Sequence, residues 1–375
     1  MAKLLIFEEI SLFKIIQLKI IKIMRLLTFL LSLSLLSCAD NPPIQQGNHG
    51  VGVVAPKPLY RDPVFDGAAD PSIIFNKTTK SWWMFYTNRR ANVPELTDVS
   101  WVHGTPIGFA ESSDGAHWQY RGTVNFPKNI PDTTDVELAT YWAPAVLEHV
   151  GTYHMYLTIV PGVFEDWNHP RTIVHLTSSD LIDWAYQSTL PLINNKVIDA
   201  TVLRLADGTW RLWYNNELAG KKTFYADSKD LYHWEDKGSA NLPNERGEAP
   251  LVFFWQGSYW LINDLLGNNG LGVYKSSDAN HWQRQPQNLL NIAGTGVDDQ
   301  NGGHHPEVIV SGERAYLYYF VHPGINAESV YSKAPDVNVK RSSIQIVELH
   351  YHNGWLTADR NALTNVNLKP GSTRQ

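Results

Sequence analysis

The chain has 375 residues, with 31 Lys and Arg against 37 Asp and Glu, for a formal net charge of −6. No basic face is available to hold a phosphate backbone, which argues against nucleic acid as a partner. Hydrophobic residues make up 43% and charged residues 18%, so most of the chain is not disordered. The aromatic content of 12% suits strands and, in a cleft, stacking on flat or apolar ligand faces. A single Cys excludes an intrachain disulfide.

In chain order, residues 1–37 hold the strongest apolar stretch. Met24-Arg25 precedes an apolar run over 26–36, and Leu35-Leu36-Ser37-Cys38 follows. A positive start, a short apolar core and a small residue before the cut have the form of a bacterial signal peptide. Its true start is expected at Met24. The one Cys sits at the cut, as in a lipobox, so Cys38 is the expected lipidation site. Acyl chains there would hold the protein on a membrane, each buried CH₂ contributing ~0.8 kcal/mol. The alternative is a plain N-terminal transmembrane anchor. Segment 38–58, rich in Pro, Asn, Gln and Gly after the Cys, reads as a flexible linker. Beyond Tyr60 no apolar run approaches the ~20 residues of a spanning helix. The domain over 59–375 is therefore expected outside the cytoplasm, tied to the cell envelope by lipid alone.

A short pattern then recurs, Ser-x-Asp followed after three residues by Trp. It occurs at Ser112, Asp114 and Trp118, at Ser178, Asp180 and Trp184, at Ser228, Asp230 and Trp234, and at Ser276, Asp278 and Trp282. The intervals are those of propeller blades. Within each interval a polar start leads into an apolar strand: Asp70-Pro71, Ala143-Pro144, Asp199-Ala200, Glu248-Ala249-Pro250 and His305-Pro306. A hairpin turn and an aromatic strand follow, over 81–87, 152–159, 210–215, 258–263 and 315–321. The fifth repeat lacks the Ser-x-Asp turn and ends in a strand over 344–349 and Trp355. These features predict an all-β, five-bladed β-propeller. The Ser-x-Asp turns are read as structural, with Trp packing between blades.

In such a fold the innermost strands start at one mouth of the axis, and the loops between second and third strands crowd over them. Three of those loops are long, 88–105, 160–170 and 321–342, which is where function concentrates on a rigid scaffold. This mouth is expected to gather Asn88, Arg89, Arg90, Trp101, His103, Trp142, Trp167, His169, Arg171 and Asn215. Asp70, Asp199 and Glu248 are placed at equivalent strand starts of blades 1, 3 and 4. Three like charges at one concave mouth repel, so at least one should have a raised pKa. A raised carboxyl beside an ionised one is the pair that glycosidic cleavage needs.

These residues resemble glycoside hydrolase family 43 and its five-bladed relatives. The resemblance rests on Ala69-Asp70-Pro71, Trp142-Ala143-Pro144, Ile198-Asp199-Ala200-Thr201, Glu248-Ala249-Pro250 and the His304-His305 pair, and it covers nearly the whole mature domain. It implies that Asp70 is the general base, that Glu248 is the general acid, and that Asp199 positions and tunes that acid. It implies inversion at the anomeric carbon, and places His305 near an axial water or Ca²⁺. Blade 4 departs from the family's usual Glu-Gly-Pro by carrying Ala249. Ala69 before Asp70 argues against the sucrose-cleaving relatives. Family 117, which cleaves anhydro-galactose from agar fragments, can use a His acid and keeps His304 or His305 as a rival.

Arg89 and Arg90 raise a further question, whether they grip a uronate or whether one pairs with a site carboxylate and the other is solvated. No His spacing of a transition-metal site, nucleophile elbow or phosphate-binding Gly loop is present. No cofactor is expected beyond a possible structural Ca²⁺, and the expected partner is an oligosaccharide. The sequence thus predicts an exo-acting glycosidase that releases arabinose, xylose, galactose or a related sugar. The alternatives are a non-catalytic glycan-binding lipoprotein and a sialidase-like propeller, the latter needing six blades.

Overall fold

The computed structural model describes residues 52–131, 139–244, 246–326 and 335–373. The expected signal peptide and Cys38 lie outside the described residues. Five four-stranded antiparallel sheets follow one another along the chain. Blade 1 comprises Ala68–Asn76, Ser81–Asn88, Ile107–Ser112 and Gln119–Thr123. Blade 2 comprises Thr140–His149, Thr152–Val160, Thr172–Ser178 and Ala185–Thr189. Blade 3 comprises Val197–Arg204, Trp210–Asn216, Lys222–Ser228 and Trp234–Ser239. Blade 4 comprises Glu248–Trp255, Ser258–Asp264, Leu271–Ser276 and Gln283–Arg284, and blade 5 His304–Ser311, Arg314–Val321, Ser343–His352 and Trp355–Ala358. The all-β five-bladed propeller predicted from the repeats is what the chain forms.

Two-residue alternation gives each strand two faces, and in the inner strands, such as Ser81–Asn88 and Ser258–Asp264, both are buried because neighbouring blades cover them. Separate buried clusters fill the gaps between blades. Trp82 and Met84 of blade 1 meet Tyr316 and Tyr318 of blade 5, while Phe85 meets Met155 of blade 2. Trp213 of blade 3 meets Leu261 of blade 4, and Trp260 of blade 4 meets Leu317 of blade 5. Ring closure involves residues assigned from sequence to the tether. Val53–Val54 pairs with Asn365–Val366, and Ala55 is buried in the blade 5–blade 1 cluster. The propeller therefore begins before residue 59, because closing the ring needs strand partners from both ends of the domain.

The Ser-x-Asp turns are structural, as read. In the first, Ser112 Oγ accepts from the Gly115 N–H at 2.8 Å, and Asp114 Oδ1 accepts from the Ala116 and His117 N–H groups at 2.8 Å. The Trp118 indole donates to the Gly115 carbonyl at 3.1 Å. The serine and aspartate bonds recur at Ser178, Ser228 and Ser276, and the indole bond at Trp184 and Trp234.

Each innermost strand is broken by a bulge near its start. At each bulge one residue is left-handed: Asp70 (φ 51°), Ala143 (46°), Asp199 (61°), Ala249 (50°) and His305 (41°). A side chain in this region costs about 1 kcal/mol or more, so the surrounding sheet must hold it. Part of that hold crosses between blades. Thr87 Oγ1 accepts from the Ala143 N–H at 2.8 Å, and Thr158 Oγ1 from the Asp199 N–H at 3.1 Å. The five-fold repeat of one strained residue is what aims side chains at the mouth.

Candidate active site

The bulges correct one expectation. The left-handed residue of blade 4 is Ala249, so Glu248 is equivalent to Ala69, Trp142, Ile198 and His304, not to Asp70 and Asp199. The proline spacing carries this signal: Pro follows the left-handed residue directly in blades 1, 2, 4 and 5. Asp70 and Asp199 thus project from one ring of positions and Glu248 from the preceding ring. The carboxyls still converge, because the Ala249 N–H donates to Asp199 Oδ2 at 3.0 Å.

They converge in a cavity of about 570 Å³, within the usual range for small-molecule sites. Asp70, Arg89, Trp101, Trp142, Trp167, Arg171, Asp199, Glu248, His304 and His305 line it. Beneath it the axial passage, bordered by Asp199, Ala249, His305 and the bulge prolines, has only about 10 Å³, room for about one water. The cavity is therefore closed at its floor.

Around Asp70, Oδ1 lies 3.4 Å from Arg89 Nη2 and 3.4 Å from His305 Nδ1. Arg89 is itself held in place. It donates to His322 Nε2 at 2.8 Å and covers the Phe320 ring at 4.6 Å. Gly67 permits this, since a Cβ there would meet the Arg89 carbonyl at 1.9 Å. Burial, Arg89 and His304 hold His322 well below its ordinary pKa, so it is neutral and donates through Nδ1 to the Arg341 carbonyl.

Asp199 is buried, and burial together with Glu248 and Asp70 raises its pKa well above the ordinary value. Glu248 is also raised, by burial first, while Lys221 at 2.5 Å pulls it down and Asp264 pushes it up. The expected repulsion among three carboxyls is thus present, with desolvation as the larger cause. Behind Glu248, His304 Nδ1 lies 3.0 Å from Asp264 Oδ2. Burial opposes charge on both groups, but their mutual attraction outweighs it: Asp264 is lowered and His304 raised.

Five sequence-predicted residues do not line the cavity. Asn88 is fully buried at the end of its strand. Arg90 points into its own loop, donating to the His103 and Ser100 carbonyls at 2.7 and 2.6 Å, so it braces that loop instead of facing the cavity. His103 is buried behind the wall, packed on Trp142 and Trp167, and burial lowers its pKa to about 4. His169 stacks on Phe164 and faces Asp166. Asn215 donates to the Gly247 carbonyl at 2.6 Å and so braces the approach to Glu248. Trp142 serves both roles weighed for it, lining the cavity while its indole donates to the Val102 carbonyl at 2.6 Å. Trp167 is half exposed at the rim.

Sequence reasoning missed Glu217, Lys221, Asp264, Phe320 and His322, all of which line the cavity. Asp264 was findable, as the cross-strand partner of Glu248. Glu217 and Lys221 sit in a short loop with no motif to mark them.

A structural Ca²⁺ near His305 stays a possibility from the sequence; among the described residues no group of three or more His, Cys, Asp or Glu is placed to hold a metal.

No family model and no curated protein sequence matches the chain. Solved structures do. The chain is similar to a thermostable family-43 glycoside hydrolase at 17% identity and TM-score 0.59, over 82% of this chain and 99% of that one. A family-43 enzyme from Xanthomonas citri complexed with xylotriose gives 14% and 0.57, over 82% and 94%. A family-43 β-1,3-galactosidase with galactodeoxynojirimycin gives 14% and 0.56, over 82% and 97%. The chain has the five-bladed propeller fold of the family-43 glycoside hydrolases.

Proposed function

We propose that this protein is a glycoside hydrolase that removes a terminal neutral sugar, such as arabinose, xylose or galactose, from plant or algal oligosaccharides, with inversion. The observation that carries the reading is the convergence of Asp70, Asp199 and Glu248 at the base of an aromatic, floor-closed cavity. Asp70 takes a proton from a water that attacks the anomeric carbon. Glu248 gives its proton to the leaving glycosidic oxygen, and the C–O bond breaks. Asp199 bonds the backbone beside Glu248 and fixes that carboxyl's place. The closed floor favours exo action, because a chain cannot pass through.

A neutral sugar follows from the charges. Arg89 faces Asp70, Arg171 faces Glu217, and Lys221 faces Glu217 and Glu248, so each cavity cation is already matched to a carboxylate. Trp101, Trp142 and Trp167 offer apolar faces for sugar C–H groups. The fold is shared with a family-43 enzyme described as bound to xylotriose and with an exo-1,5-α-L-arabinanase, which supports the substrate class. The His304–Asp264 pair favours one second reading, in which His304 supplies the proton as in an anhydro-galactosidase. We further propose, from sequence, an extracytoplasmic protein anchored through lipidated Cys38 and needing no cofactor.

A hydrolysis screen of aryl-glycosides and plant and algal oligosaccharides tests this, run on wild type, Glu248→Gln and His304→Gln. Monosaccharide release by wild type and His304→Gln but not Glu248→Gln is expected. Loss in His304→Gln alone would move the acid to His304. Binding without release would make the protein a glycan-binding module.

A further inference from the structure

Glu248 does not stand alone at its end of the cavity. Lys221 Nζ lies 2.5 Å from Glu248 Oε2 and 3.1 Å from Glu217 Oε1. The other oxygen of Glu217 pairs with Arg171 Nε. Four alternating charges therefore run from Arg171 through Glu217 and Lys221 to Glu248, across blades 2, 3 and 4. The far end is fixed, since Arg171 is buried and also donates to the Trp167 carbonyl at 2.7 Å. The near end is fixed through the backbone. The Gly247 N–H donates to the Lys221 carbonyl at 3.0 Å, one residue before Glu248. Gly220 and Lys221 are both left-handed, at φ 80° and 60°, so the loop turns sharply where the ammonium is delivered.

We propose that Lys221 is a positioning residue that sets the protonation state of Glu248, and with it the alkaline end of the pH range for cleavage. This rests on the glycosidase reading above. A general acid must carry a proton before it can give one. An ammonium in contact favours the carboxylate instead. Facing Glu248 are also Asp199 from blade 3, Asp264 across the strand pair, Glu217 from the Lys221 loop and His304 from blade 5. Burial, Asp264 and Glu217 keep the proton on, and Lys221 opposes them. Their resultant is upward, with Lys221 the main restraint.

The test is the pH profile of kcat/KM for the full chain on an aryl-glycoside with a poor leaving group. Lys221→Met should move the alkaline limb up by about one pH unit or more, the usual effect of one contacting charge. Glu217→Gln removes an anion and leaves the ammonium to Glu248, so it should move the limb down. Lys221→Arg should restore the wild-type limb. A merely structural role would scale the rate equally at every pH and leave the limb in place, which overturns the proposal. If Lys221→Met does not fold, an unmoved limb in Glu217→Gln overturns it equally. Glu248→Gln separates the two levels. If that variant keeps wild-type rates, the acid assignment fails. If it loses activity on poor leaving groups while the limb of Lys221→Met stays put, only the role of Lys221 fails.

Discussion

Replacing Asp70 by Asn removes one charge and almost nothing else. Asp70 sits at φ 51°, a region Asn tolerates as readily as Asp, so the bulge is preserved. Ala would lack that local polar support. Arg89 loses its 3.4 Å contact with Asp70 but keeps His322 at 2.8 Å and Phe320 at 4.6 Å. Asp70 is buried, but its contacts with Arg89 and His305 are both long at 3.4 Å, so the lost attraction is about 1 kcal/mol. It is offset by relief of the repulsion between Asp70 and Asp199. The melting temperature should therefore stay within about 2 °C of wild type. Turnover should not survive. An amide cannot take the proton of the attacking water, and loss of a general base costs about 10²–10⁴-fold, or roughly 2.7–5.4 kcal/mol of barrier. Sugar release and thermal melting on the same preparation check both halves. A folded Asp70→Asn variant within tenfold of wild-type turnover would refute the reasoning.

Trp167→Ala should raise KM about tenfold, equivalent to ~1.4 kcal/mol, with kcat little changed, because the half-exposed ring sits at the rim and not at the reacting bond; a fall in kcat alone would contradict this. Thr158→Val keeps the side-chain shape but leaves the buried Asp199 N–H without its acceptor, which should cost about 1–3 kcal/mol in denaturant titration and lower turnover as Asp199 shifts. His154 and His175 are buried against each other, and burial lowers their pKa values to about 4 and about 3. The unfolded chain binds protons at both near pH 6.5, so stability is full above that pH and is lost as pH falls toward 3. The slope should approach about 2.7 kcal/mol per pH unit between pH 6 and 4, and a flat stability over that range would contradict the burial argument. Dialysis against a chelator should leave turnover within twofold; a large loss restored by Ca²⁺ would place a metal in the site.

Much of the fold was legible because the blades repeat a local device. Ser112, Ser178, Ser228 and Ser276 each close the same side-chain-to-backbone turn in blades 1 to 4, and the recurring strand starts add the fifth blade. The candidate carboxyls were legible because Asp70, Asp199 and Glu248 stand at the polar starts of apolar strands, with Pro71 and Pro250 marking two of the three. Their register was misread because a bulge inserts a residue, and alternation cannot show which of two neighbours is left-handed. The wall of the cavity was only half legible. Arg89 and Arg90 are identical in sequence terms, yet one reaches Asp70 and the other holds its own loop. Lys221, Glu217 and His322 matter through contacts between blades, and such pairs leave no mark on a linear pattern. The segment from Val53 to Pro58 was read as a tether because two-residue pairing across the ring has no local signal.

The proposed reaction is single-step hydrolysis by two carboxyls in this cavity. The direct test is to follow the anomeric proton of the first sugar released, by ¹H NMR, before mutarotation equilibrates it. The first-formed anomer should be opposite to that of the bond cleaved, and Asp70→Asn and Glu248→Gln should release none. A first product of retained configuration, or release undiminished in both variants, would contradict it.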